Sequence, residues 1–150
     1  MQLIGAATVE IFRGTKCIKR MDRNNLVVSV GEDFYTQSIL PGSPTKKMQY
    51  MQLGKGATAA TSGDTSLETA IAGTRETCDT AAPSGRTAVF VNTWGTSAFS
   101  ATGIEEAGIF SQLTSGAGTM LARVTFTATN KSASDTFRVT WKIAANDDGV

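Results

Sequence analysis

The sequence predicts an all-β domain with little helix, a single antiparallel β-sandwich or jelly roll carrying one or two short helical turns. Apolar and polar residues alternate with a period of two through the C-terminal third, the pattern of a half-buried strand. Thr, Ser, Ala and Gly recur along the whole chain while charged residues make up only 18% of it, below the roughly 25% of an average soluble domain. Helical periodicity is confined to two short stretches. At 150 residues the chain has the length of one domain with a self-sufficient core.

From the N-terminus, Val9–Phe12 and Cys17–Lys19 flank Gly14-Thr15 as a hairpin, and Leu26–Val30 reads as the next strand. Ser29 and Glu32 have capping-box spacing, so Phe34, Tyr35, Ser38 and Ile39 are expected on a short helix that Pro41-Gly42 ends. Met48–Leu53 is a strand. A loop with almost no apolar bulk follows from Gly54 to Gly63, a candidate contact arm. Thr65 and Glu68 repeat the capping spacing and predict one helical turn. Arg75–Thr80 is a short strand, and Arg86–Trp94, apolar on both faces at Val89, Phe90 and Val91, a central one. Ile104–Phe110 is a strand interrupted by Gly108, a residue that fits a bulge or a close backbone approach.

Met120, Ala122, Val124, Phe126 and Ala128 then alternate with Leu121, Arg123, Thr125 and Thr127. After the polar segment from Asn130 to Asp135, Phe137, Val139, Trp141 and Ile143 alternate with Thr136, Arg138, Thr140 and Lys142. These two runs are expected to pair as a hairpin with one wet face, giving seven to nine strands in all. Residues 1–24 are read as an N-terminal hairpin or arm, removable without unfolding a sandwich over residues 25–150.

Net charge is +1, too small to attract nucleic acid or an anionic membrane. No signal peptide is expected at Met1–Gly5, and no apolar run approaches the ~18 residues of a membrane span. Cys17 and Cys78 are expected as free, small hydrophobes rather than a disulfide. Histidine is absent, which removes the commonest general base, the commonest zinc ligand and every Ser-His or Cys-His pair.

The remaining constellations argue against chemistry. Gly54-Lys55-Gly56-Ala57-Thr58 lacks the four-residue gap and helix of a phosphate loop and reads as a turn. Glu105 and Glu106 are neighbours on a strand and point to opposite faces, so they cannot flank one bond; one is expected exposed and the other capping or paired with an arginine. Asp22, Asp33, Asp64 and Asp135 sit where short acceptors satisfy backbone N–H groups, and Asp147-Asp148 reads as a solvated tail. No enzyme, cofactor or metal is therefore expected. Trp94 and Trp141 belong to apolar strand patterns and are assigned to the core. Arg13, Lys16, Lys19, Arg20 and Arg23 form the one charge cluster. With Lys55 they are the candidate partner-docking residues; the alternative is a hairpin edge whose cations block edge-to-edge pairing.

Several segments, taken in order, resemble small tailed-phage virion proteins of the head-decoration or tail-fibre-like kind. They are Asn25–Gly31, Met51–Gly56, Asp64–Glu68, Glu106–Phe110, Met120–Phe126 and Lys131–Ile143. The resemblance implies a β-rich structural protein of the virion, assembled in the bacterial host cytoplasm, with no active site to carry over. The expected function is capsid decoration (cement) by a homotrimer or other symmetric oligomer gripping the major capsid protein through multivalent contacts. The alternatives are a tail, baseplate or fibre-adaptor component bound to tail proteins, or a receptor- or glycan-binding module.

Overall fold

Gly14, at φ 59°, closes a two-residue turn that needs a left-handed residue between β1 (Gln2–Arg13) and β2 (Lys16–Val27). The computed structural model describes residues 2–42 and 47–146, so Asp147-Asp148 lies outside the described residues. After the hairpin come α1 (Ser29–Gln37), β3 (Tyr50–Gly54), β4 (Glu76–Thr77), β5 (Thr80–Ser84), β6 (Thr87–Trp94), β7 (Ala101–Phe110), β8 (Met120–Lys131) and β9 (Asp135–Asn146). The nine strands join in one antiparallel sheet of order β4-β3-β7-β8-β2-β1-β9-β6-β5. It curls so that its two halves face each other, which makes the domain all-β as expected.

Among the described strands, backbone pairing between the halves is confined to Leu26 and Val27 of β2 with Arg123 and Ala122 of β8. On one side, β1 lies between β2 and β9 and pairs with β9 from Gln2–Asn146 to Arg13–Asp135. Ala7, Val9 and Ile11 of β1 enter the core. Residues 2–24 do lie in the expected hairpin, and that hairpin is built into the sheet. They form a central strand and most of its neighbour, and the expected boundary at 24/25 falls inside β2.

A second correction concerns β8 and β9. They do not form a hairpin: β8 pairs with β7 and β2, and β9 with β1 and β6. The segment between them carries the chain from one half of the sheet to the other. Each strand has one apolar row, and turning these rows toward each other across the interior buries both. The Phe126 and Phe137 rings meet there with centroids 6.4 Å apart. Period-two alternation specifies that a strand has a buried face, not which strand lies beside it.

Trp94, Trp141, Phe137, Leu53 and Ile109 are fully buried in this core. The Trp94 indole N–H donates to the Thr74 carbonyl at 2.8 Å, whereas the buried Trp141 Nε1 has no protein partner. Gly108 does not interrupt β7. A Cβ there would come within 3.0 Å of Leu67 and the Phe110 ring, so it is the close approach, not a break, that requires glycine.

Other expectations shift at element ends. Instead of forming a strand to residue 30, the chain leaves β2 after Val27 and enters α1. The N-cap is Val28, which makes no side-chain bond, so no Ser29–Glu32 box forms. The helix packs on β8 so closely that a Cβ on Gly31 would overlap the Leu121 backbone. No helical turn forms at Thr65–Glu68. β5 was not expected; it is exposed along its length and carries Pro83, which suits an edge strand. Cys78 is buried and Cys17 exposed, so only Cys78 is a core hydrophobe. Burial pushes its thiol up to about 12.

Trp141→Ala is expected to destabilise the domain by about 3–5 kcal/mol, the range for truncating a buried large aromatic, read as the change in urea-unfolding free energy. Deleting residues 1–24 is expected to abolish cooperative unfolding and near-ultraviolet circular dichroism, because β9 loses the partner along its whole length.

Candidate functional site

The two outer faces of the curled sheet are built oppositely. On the β3-β7-β8 half, Gln52, Gly54, Glu106, Gly108 and Arg123 alternate with the core residues Leu53, Ala107 and Ala122 and so point outward. Yet Gln52, Glu106 and Arg123 are at most 3% exposed, because the long β3–β4 connection folds over them. Glu106 carries the arrangement. Its carboxylate accepts the backbone N–H groups of Gly56 (2.9 Å), Glu68 (3.1 Å) and Thr69 (2.8 Å) and the Arg123 Nε–H at 2.8 Å. Arg123 also reaches Asp64 at 2.9 Å and Glu68 at 3.4 Å.

Those contacts explain the glycines at 54 and 56, where a Cβ would overlap the Glu106 carboxylate. They also hold two acids ionised. Burial opposes ionisation of Asp64, but bonds from Thr61 and Arg123 outweigh it and the pKa is lowered. The Thr58 N–H and hydroxyl, with Arg123, lower that of Glu68. Arg75 fastens a neighbouring connection in a similar way. Its guanidinium lies 3.6 Å from the Phe110 ring centroid, donates to Gln52, and holds the β7–β8 connection through the carbonyls of Gln112, Thr114 and Ala117.

The opposite half leaves its outer face bare. Thr8, Glu10, Arg20, Asp22, Arg138, Thr140, Lys142, Val89 and Val91 alternate with core positions, and none of them is buried. Glu10 is the cross-strand neighbour of both Arg20 and Arg138 and lies 3.8 and 2.9 Å from them. Arg138 also stacks 4.6 Å from the Phe12 ring centroid. Asp22 accepts from Thr8 at 2.6 Å, and that bond with the Arg20 contact lowers its pKa. Ile4, Ile18 and Leu26, 37–45% exposed, lie along the same hairpin.

No protein-family model, curated protein or solved structure matches this chain. Among the described residues, no group of three or more His, Cys, Asp or Glu is arranged to hold a metal ion. No helix there is long and apolar enough to cross a membrane.

The structure disperses the expected docking cations. Arg13 pairs with the buried Asp135 at 2.9 Å, which holds that carboxyl well below its ordinary range. Arg20 joins the Glu10 row. Lys19 and Arg23 span the open seam between β2 and β8, donating to the Ala128 carbonyl and the Thr127 hydroxyl, each at 3.3 Å. They therefore sit on the unpaired edge of β2, where cations discourage strand addition. Lys16, beside the turn, is exposed, and so is Lys55 on the β3–β4 connection. Lys55 lines a hollow with Ser100, Thr102 and Asn130.

Arg123 and Lys131 were missed, since the first sits in a row expected to be wet and the second in a polar turn. Lys131 is 1% exposed and donates to the Phe99 and Ser132 carbonyls; burial lowers its pKa. The signal for Glu106 was present, since one of the two glutamates was expected to cap backbone N–H groups or pair with an arginine, and Glu106 does both.

Removing one partner of a buried ion pair strands the other. Glu106→Ala is thus expected to cost about 3–5 kcal/mol in chemical denaturation. Arg123→Met in the same background should recover some of the loss.

Proposed function

We propose that this chain is a non-catalytic structural protein of a tailed-phage particle, a head-decoration protein that clamps neighbouring major capsid subunits. The observation that carries this reading is the contrast between the outer faces. One is sealed by the chain's own connections and helix. The other presents five strands of small and β-branched side chains, one charge row and three exposed aliphatics. A rigid sheet face whose Thr and Val side chains are short, and whose Glu10, Arg20 and Arg138 are already paired, loses little side-chain entropy on docking. The Arg20–Glu10–Arg138 row supplies orientation through charge complementarity rather than bulk affinity. The ordered resemblance of six segments to small virion proteins supports the same class. Repetition of a modest contact around a symmetric oligomer would make the grip strong through effective concentration.

The test is cryo-electron microscopy of particles made by the genome that encodes the chain. Regular copies over the head lattice, docked through the β2-β1-β9-β6-β5 face, are expected. Density confined to the tail would replace the decoration role with a tail component, and absence from purified particles would sink both. Arg20→Glu combined with Arg138→Glu should lower binding to particles lacking the protein by about tenfold, equivalent to about 1.4 kcal/mol, with unchanged circular dichroism.

A further inference from the structure

Residues 55–69 are an unusually long stretch without helix or strand for a compact domain, and what fastens them differs in kind from what fastens the rest. The base is clamped by the Lys55 N–H donating to the Thr69 carbonyl at 2.8 Å, which makes the segment a closed Ω-shaped loop. Beyond Thr69 the chain is tied to the sandwich: the Ile71 N–H donates to the Leu53 carbonyl, and the Thr74 carbonyl receives Trp94. Within the loop, Leu67 is the one buried large apolar side chain. The other fastenings are the three N–H bonds to Glu106, the Arg123 contacts to Asp64 and Glu68, and one bond from the Ser29 N–H of α1 to the Ser62 carbonyl.

We propose that residues 55–69 form an acid-released strap, which lifts from the sheet as a unit while the sandwich beneath stays folded. The strap is held by carboxylates and the sandwich by an apolar core, so protonation weakens the first and leaves the second. The ionisable groups around the contact are Asp64, Glu68 and Lys55 on the strap, Glu106 on β7, Arg123 on β8 and Glu32 on α1, which lines a groove with Ser62. Folding lowers the pKa of Asp64 and Glu68 from ordinary values of 3.8 and 4.5. Their contribution is therefore complete above those values and is lost as the pH falls through the lower folded ones. Protonated, Asp64 and Glu68 lose their ion pairs to Arg123 of β8, and the bonds they accept within the strap from Thr61 and Thr58 weaken as well. Lifting the strap withdraws Leu67 from its cluster with Val28, Phe110 and Met120 and uncovers an apolar patch on the sealed face.

Hydrogen exchange of the full chain, corrected for intrinsic rates, tests this across a series from pH 7 to pH 3. Peptides covering residues 55–69 are expected to lose about tenfold or more of their protection, the free-energy equivalent of about one pKa unit, while β1 and β9 keep theirs. Loss of protection by strap and β9 at the same pH overturns the proposal, as does a strap protected throughout the series. The Asp64→Asn, Glu68→Gln double variant should show a loosened strap at pH 7 and no further acid step. Wild-type protection at pH 7 in a folded double variant also overturns it. Should that variant not fold, the wild-type series decides alone.

Discussion

Glu106 is a carboxylate side chain with no exposure to water, and the surrounding chain is organised around making that tolerable. A carboxylate removed from water needs several donors and a nearby cation, and no single neighbouring strand supplies them. Three N–H groups therefore come from the β3–β4 connection and the cation comes from β8. Satisfying one side chain thus fixes the course of a long loop, demands glycine at 54 and 56, and places Arg123 where it recruits two more acids. Four groups of opposite sign share one pocket, with the guanidinium central to all three carboxylates. The arrangement specifies a single placement for a segment that has little apolar surface of its own.

The opposite half of the sheet is held by different means. Its strands are long, its inner rows are aliphatic and aromatic, and its outer row of Arg20, Glu10 and Arg138 is half-wet. Exposed ion pairs of that kind contribute between nothing and about 1 kcal/mol each, so the core, not the row, stabilises this half. Its unpaired rim is guarded in the manner common to open sheets: Lys19 and Arg23 lean across the β2 side, and Pro83 interrupts donors on β5. This half thus guards its rims while leaving one face free, a distribution that suits packing by the face.

The fold class was legible because alternation reports burial directly. Phe137, Val139, Trp141 and Ile143 could not lie on a strand without a core to face, and the tryptophans were placed correctly. Partnership was not legible, because the same pattern arises whether an apolar row faces a neighbouring hairpin's core or the opposite half of a sandwich. That is why β8 and β9 read as paired when they face each other instead, and why β1 looked like a piece of an arm when it lies at the centre. The buried polar residues were half visible. Adjacent glutamates in an apolar strand indicated that one would cap or pair with an arginine, but Arg123 is separated from Glu106 by a whole connection and sits in a row whose periodicity says solvent. Only the covering loop, which has no periodicity, reverses that assignment.

The pairing of β1 with β9 also sets the order in which the chain can acquire its structure. β1 precedes β9 by more than a hundred residues, so on the ribosome it waits for that strand before its second sheet neighbour exists, and most of the described residues lie in the loop that this contact closes. Closing so long a loop is entropically costly before any contact rewards it, and topologies dominated by distant partners fold slowly, over milliseconds to seconds. Until β9 arrives, β1 and β2 form a lone hairpin with Val9 and Ile11 uncovered, a species prone to mispairing with copies of itself. The cations along the β2 edge protect that unfinished ribbon as well as the mature sheet.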